Sequence, residues 1–78
     1  MKEFLEYVAR SLVDDPEAVA VDLAEADDEV TLTLKVGDGD MGRIIGRDGR
    51  IANAIRSLLR VMATRDGRHV ELEIVGDE

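Results

Sequence analysis

Cysteine is absent from this 78-residue sequence, and histidine occurs only once, as His69. Without cysteine the chain can form neither a disulfide framework nor a thiolate metal site, and one histidine cannot build a zinc site. Aromatic residues are also scarce, since Phe4 and Tyr7 are the whole set. A base-stacking platform made of several aromatic side chains is therefore not expected.

Long apolar runs are lacking as well. No stretch approaches the roughly 18 apolar residues that a membrane-spanning helix needs. The first ten residues include Glu3 and Glu6, and they lack the basic start and apolar run of a signal peptide. We therefore expect a cytoplasmic protein without a membrane partner. The length predicts a single domain over residues 1–78, whose small core favours self-association.

The net charge of −8 argues at first against a nucleic-acid partner. The charge is distributed unevenly, however. Residues 1–40 contain three basic and twelve acidic side chains, residues 41–70 contain seven arginines and two aspartates, and residues 71–78 contain four acids. Positive charge is thus confined to one segment, and this segment keeps a polyanionic ligand in consideration.

The first half of the chain predicts one helix and a β-hairpin. Apolar residues recur at helical spacing over residues 4–13, and Asp14-Asp15-Pro16 ends the helix because proline disfavours helical geometry in the residue before it. Apolar and polar residues then alternate over 19–24 and 30–36, as in strands buried on one face. The short polar segment 27–29 predicts a hairpin turn between them.

The second half predicts a short helix at 41–45, a glycine-containing loop at 46–49, a helix from about 50 to 63 and a strand at 70–74. The order is helix, strand, strand, helix, helix, strand. Three strands that are apolar on one face need a cover, which three helices can supply. We therefore expect an α+β domain with a three-stranded sheet covered on one face by three helices.

The loop Gly46-Arg47-Asp48-Gly49, which we call the glycine loop, suits close approach to an anion. Glycine allows positive φ and lets the backbone come near a phosphate. The helix that follows offers unpaired N–H groups and a partial positive charge. Neighbouring arginines add long-range attraction.

The segment Ile44-Ile45-Gly46-Arg47-Asp48-Gly49-Arg50-Ile51 resembles the KH motif, in which a GxxG loop between two helices holds single-stranded RNA by its backbone. The element order resembles the type II KH fold, and nearly the whole chain is similar to small bacterial RNA-binding proteins built from one such domain. The resemblance implies a backbone clamp at the glycine loop and a base groove beside it. The implied RNA-binding residues are Arg43, Ile44, Ile45, Gly46, Arg47, Asp48, Gly49, Arg50 and Ile51.

The resemblance also implies RNA chaperone-like or regulatory work, homodimers, and pairing with a larger KH-containing protein of the Jag type. It implies neither an enzyme nor a cofactor. Two departures point to modest affinity. Ala52 stands where many KH domains carry a large aliphatic residue, and Asp48 brings a carboxylate near the phosphate. Asp48 has an alternative role, as a cap for the following helix.

Other motifs lead to weaker hypotheses. Residues 37–42 match the dinucleotide pattern GxGxxG, but the chain is too short for that fold, and Asp38 and Asp40 would repel a pyrophosphate. Asp40 is instead expected to cap the short helix. A calcium loop fails because its closing glutamate position is Gly49. The serines have no evident base nearby, so catalysis is not expected.

The apolar arc of the long helix covers about 200°, whereas a helix on a sheet needs little more than 100°. Either the first helix covers the excess apolar surface of the long helix, or this surface forms a dimer seam that includes Val61 or Leu59. A rival function is therefore a protein-interaction module on a KH fold. Binding of single-stranded DNA is a third alternative.

Overall fold

The computed structural model describes residues 1–76. Asp77 and Glu78, which belong to the predicted acidic end and to the predicted domain, lie outside the described residues. The helices are α1 (Lys2–Leu12), α2 (Met41–Ile45) and α3 (Arg50–Arg65), and the strands are β1 (Ala20–Ala26), β2 (Glu29–Val36) and β3 (His69–Gly76). Short 3-10 turns occur at Pro16–Ala18, Asp38–Asp40 and Arg47–Gly49. The predicted order of helices and strands is confirmed.

The sheet has the strand order β1-β2-β3. The β1–β2 pair is antiparallel, and a two-residue turn at Asp27 and Asp28 joins Ala26 to its partner Glu29. The β2–β3 pair is parallel, so the chain must cross from the end of β2 back to the start of β3. The segment α2, glycine loop and α3 makes this crossing.

The length of α3 determines where the glycine loop lies. Sixteen helical residues span about 24 Å, and the eight residues of β3 span about 26 Å. Because α3 returns along nearly the full length of the strand, its first residues lie near the end of β3 and its last residues near the start. The glycine loop therefore lies at the edge of the sheet where β2 and β3 end.

The core lies between the three helices and one face of the sheet. Along β2 the side chains alternate, with Val30, Leu32, Leu34 and Val36 completely buried and the intervening polar residues on the open face. Each helix adds buried apolar side chains to the same cluster; these are Leu5 and Ala9 from α1, Ile44 from α2, and Ile55 and Leu59 from α3. The prediction of a sheet covered on one face by three helices is confirmed.

The outer side of α3 carries apolar residues that nothing in the described chain covers. Leu58 is 52% exposed and Val61 is 56% exposed, and Ala54 lies one helical turn before Leu58. We call these three residues the α3 stripe. The expectation that Leu59 could form a dimer seam is wrong, because its side chain is completely buried in the core. The first helix does not cover the stripe either.

No helix within residues 1–76 is long and apolar enough to cross a membrane. Nor does this part of the chain bring three or more histidine or acidic side chains together in a way that would hold a metal ion.

Candidate nucleic-acid interface

Gly46 has a backbone conformation that other residues hardly adopt. Its φ of 77° and ψ of 177° fall in a region populated essentially by glycine. A Cβ at this position would lie 2.6 Å from Cγ1 of Ile51, so the Gly46 backbone packs directly against that side chain. The first glycine of the loop is therefore required both by its dihedral angles and by the close approach of Ile51.

The second half of the loop turns through two left-handed residues. Asp48 has φ 57° and ψ 24°, and Gly49 has φ 77° and ψ 12°. Aspartate is among the few non-glycine residues that tolerate this region. A hydrogen bond from the Gly49 N–H to the Gly46 carbonyl, 3.2 Å long, closes the turn just before α3.

Asp48 does not cap α3, contrary to the alternative considered from the sequence. The N-cap position of α3 is occupied by Gly49, and no side chain within residues 1–76 makes a capping hydrogen bond there. The left-handed backbone at Asp48 places this residue before the cap. Its carboxylate is exposed and has no hydrogen-bond or ion-pair partner within residues 1–76.

The three arginines beside the glycines differ in their surroundings. Arg47 and Arg50 are exposed, and no side chain of the described residues pairs with either guanidinium group. Arg43 instead forms ion pairs with two carboxylates, 2.9 Å from Nη2 to Oδ2 of Asp14 and 3.2 Å from Nε to Oδ1 of Asp40. Arg47 and Arg50 are therefore the cations that a phosphate can reach without displacing a partner.

Asp40 is the one charged residue among 1–76 with a buried side chain, at 4% exposure. Its two oxygens accept the backbone N–H groups of Asp14 and Asp15, at 3.0 and 3.1 Å. The Asp14 N–H is the main reason why the pKa of Asp40 lies below its ordinary value of 3.8; burial opposes the shift, and the Asp15 N–H and Arg43 add to it.

The expected cap of α2 by Asp40 is wrong. Asp40 does stand at the N-cap position, but its side chain makes no capping hydrogen bond. It bonds instead to the segment that follows α1. The start of α2 is thereby tied to the end of α1. No local pattern indicated this link, because its partners lie 25 and 26 residues earlier in the chain.

The three isoleucines predicted to border a base groove are not equally accessible. Ile45 is 37% exposed, and Ile51 is half-buried against Gly46. Ile44 is completely buried, because it faces the core from the inner side of α2. An apolar wall at the loop would consist of Ile45 and Ile51, with Ile44 supporting it from beneath.

A groove runs between α3 and β3, which is an edge strand of the sheet. One hollow in it, about 190 Å³ in volume, is lined by Arg56, Leu59, Arg60, Val70, Glu71 and Leu72. Arg56 and Arg60 are one helical turn apart, so this spacing already indicated that they share a face. Both arginines lie beside this groove.

The description of the matching family model is "KhpA/KhpB, KH domain", and it matches residues 2–74. RNA-binding protein KhpA of Clostridium perfringens is 44% identical over 75 residues, which cover 96% of this chain and all of that protein. RNA-binding protein KhpA of Chlamydia trachomatis is 45% identical, with 96% of both chains covered. The corresponding protein of Borreliella burgdorferi is 44% identical, covering 94% of this chain and 89% of its own.

Two solved structures of Era share the fold. Aquifex aeolicus Era bound to GDP·AlF4⁻ matches with a TM-score of 0.62 and 24% identity, and a complex of Era with 16S ribosomal RNA nucleotides matches with 0.56 and 23%. Each match covers 96% of this chain but only 29% of the Era chain. The predicted type II KH fold is confirmed, and the matched family is not one of enzymes. The chain belongs to the KhpA/KhpB family of KH-domain proteins.

Proposed function

We propose that this protein binds single-stranded RNA through the glycine loop. The observation that carries the proposal is the turn of residues 46–49 at the N-terminus of a 16-residue helix, with two exposed, unpaired arginines: Arg47 in the turn and Arg50 as the first residue of the helix. Curated relatives that match over nearly their full length are named RNA-binding proteins. The loop supplies what a phosphate backbone requires, namely close backbone approach, positive charge and a helix N-terminus.

The bound strand would continue from the loop into the groove between α3 and β3. Ile45 and Ile51 offer an aliphatic surface to bases near the clamp, and Arg56 and Arg60 lie farther along α3. The isoleucines can contact any base, and the arginines can contact any phosphate. Sequence preference should therefore be low, and most of the affinity should come from phosphate contacts.

The charge of the whole chain limits this affinity. Outside the arginine-rich segment the protein is strongly acidic, so it repels the parts of an RNA that leave the groove. Weak and reversible binding with little sequence preference suits an RNA chaperone or a post-transcriptional regulator. We propose this role, in the cytoplasm.

Fluorescence anisotropy with a labelled single-stranded RNA tests the proposal. The natural protein and Arg47→Asp should be compared at several salt concentrations, with Arg10→Asp on the exposed side of α1 as a control of equal charge change. If Arg47 and Arg50 neutralise two phosphates, the slope of log K for RNA binding against the log of the salt concentration should be about −1.4. The Arg47→Asp variant should lose most binding, whereas the control should retain it.

Two outcomes would contradict the proposal. Equal binding by both variants, with melting curves that show both folded, would move the RNA site away from the loop. No binding by the natural protein at tens of micromolar would remove RNA binding altogether.

We further propose that the α3 stripe is the seam of a homodimer. Leu58 and Val61 are more than half exposed, although a small domain gains much from burying such side chains. The same surface would serve for pairing with a larger Jag-type KH protein. Analytical ultracentrifugation should show a concentration-dependent dimer that Val61→Glu abolishes, while Tyr7→Glu, on an exposed apolar side chain of α1, leaves it intact. A dimer unaffected by Val61→Glu would exclude this seam.

The α3 stripe also favours a second candidate function, that of a protein-interaction module which works through its partner. In this case Val61→Glu would abolish binding of the protein partner, and loss of Arg47 would not. The anisotropy experiment therefore separates the two functions.

A further inference from the structure

The carboxylate of Asp48 has no structural role in the glycine loop. It does not cap α3, it makes no hydrogen bond within residues 1–76, and neither neighbouring arginine lies within ion-pair distance of it. The backbone does not require it either, because glycine would adopt the same φ of 57° at no steric cost. The side chain is thus exposed in the middle of the loop, and no group within residues 1–76 occupies its hydrogen-bonding positions.

The chemistry of a nucleic-acid backbone limits what this carboxylate can contact. An ionised carboxylate only accepts hydrogen bonds. Phosphate and sugar-ring oxygens also only accept, so Asp48 repels the former and gains nothing from the latter. The ribose 2′-hydroxyl is the one group of an RNA backbone that can donate. A DNA backbone has no such donor.

From this juxtaposition we propose that Asp48 selects RNA over DNA at the glycine loop, by accepting a hydrogen bond from a ribose 2′-hydroxyl. The inference rests on the proposed RNA-binding function and goes further by assigning the sugar selectivity to one side chain. Arg47, Arg50 and the glycine backbone contact phosphates, which RNA and DNA share. The Asp48 carboxylate weakens the binding of RNA and of DNA by like-charge repulsion. Only in RNA does a hydrogen bond from the 2′-hydroxyl offset this loss.

Competition anisotropy with three oligonucleotides of equal length tests this assignment. The probes are oligouridine, its 2′-deoxy form and its 2′-fluoro form, which favours a ribose-like sugar pucker but has no hydroxyl donor. The natural protein should bind the RNA roughly fivefold more tightly than either other probe, as expected for one solvent-exposed hydrogen bond. In Asp48→Gly this ratio should fall to about one, mainly because the deoxy and fluoro probes bind more tightly.

Asp27→Gly is the matched control, since Asp27 has a φ of 55° in the hairpin turn between β1 and β2. It should keep the ratio of the natural protein. Equal binding of RNA and DNA by the natural protein, a ratio that persists in Asp48→Gly, or tight binding of the fluoro probe would each overturn the inference while leaving RNA binding at the loop intact. Failure of the natural protein to bind any probe would instead refute the proposed function.

Discussion

The two ends of α2 contain the same residue types but differ in how they are used. At the start, Asp40 is buried, and Arg43 pairs with it from the middle of the helix; both residues are tied to the segment after α1. At the other end, Arg47 and Asp48 are exposed and have no partners within residues 1–76. A five-residue helix thus has one end that anchors the fold and one end that is available to a ligand.

The contrast teaches that the surroundings of a charged residue, more than its identity, decide its role. Asp40 meets two backbone N–H groups that would otherwise lack acceptors, so its burial is compensated by hydrogen bonds. Asp48 lies in a turn whose hydrogen bond is made by the backbone of Gly46 and Gly49. The first end should therefore respond to mutation in stability, and the second mainly in binding.

Gly46 is the exception at the exposed end, and its substitution should have the largest effect on stability. Gly46→Ala should lower the free energy of unfolding by about 2–4 kcal/mol, because it combines a glycine-only conformation with a clash against Ile51. Gly49→Ala should lower it by only about 1 kcal/mol, because the nearest atom, Nδ2 of Asn53, would lie 3.8 Å from the new Cβ. Urea denaturation measures both; equal losses would show that packing of Ile51 is not the cause.

Asp40 should show the next largest effect. Asp40→Ala leaves two backbone N–H groups without their acceptor and removes one of the two carboxylates that pair with Arg43, so the Tm should fall by roughly 10 °C. Asp14→Ala removes only an exposed ion pair to the same arginine and should lower the Tm by about 3 °C or less. Thermal melts followed by circular dichroism measure both Tm values. Similar losses of Tm in the two variants would mean that the Asp40 link does not anchor α2.

Whether a feature could be predicted from the sequence depended on how far apart in the chain the interacting residues lie. Helical spacing and strand alternation are local, and they predicted all six main elements and the sheet covered on one face. The positive φ at Gly46 was predictable from the GxxG pattern. The role of Asp40 was not, because its acceptor function depends on backbone groups 25 and 26 residues away.

The errors at Ile44 and Leu59 have another cause. Both side chains belong to continuous apolar segments, in which periodicity alone does not decide the direction of each neighbour. Packing placed Ile44 and Leu59 inside, whereas Ile45 and Leu58 remain exposed. The cap expected from Asp48 failed because the left-handed turn moved the N-cap position to Gly49.

The two arginines that flank Gly46 allow the comparison to be tested by binding. Arg47→Ala should weaken RNA affinity roughly tenfold, since an unpaired cation in the clamp is lost. Arg43→Ala should weaken it by about twofold or less, because two carboxylates already neutralise this side chain. Anisotropy at low salt measures both affinities. A larger loss for Arg43 would mean that RNA displaces Asp14 and Asp40, and that the two ends of α2 act together.

The smallest effect should appear in the acid dependence of stability. Because the pKa of Asp40 is lower in the folded state than its ordinary value of 3.8, the ionised carboxylate stabilises the fold above that pH, and this contribution is lost as the pH falls from 3.8 through the folded-state pKa. Asp40→Asn, which cannot ionise, should be less stable than the natural protein at pH 7. Thermal melts between pH 7 and pH 2 should therefore show the two Tm curves converging below about pH 4. Parallel curves would mean that Asp40 is held equally well when protonated, so that shape and hydrogen bonding, and not charge, anchor the start of α2.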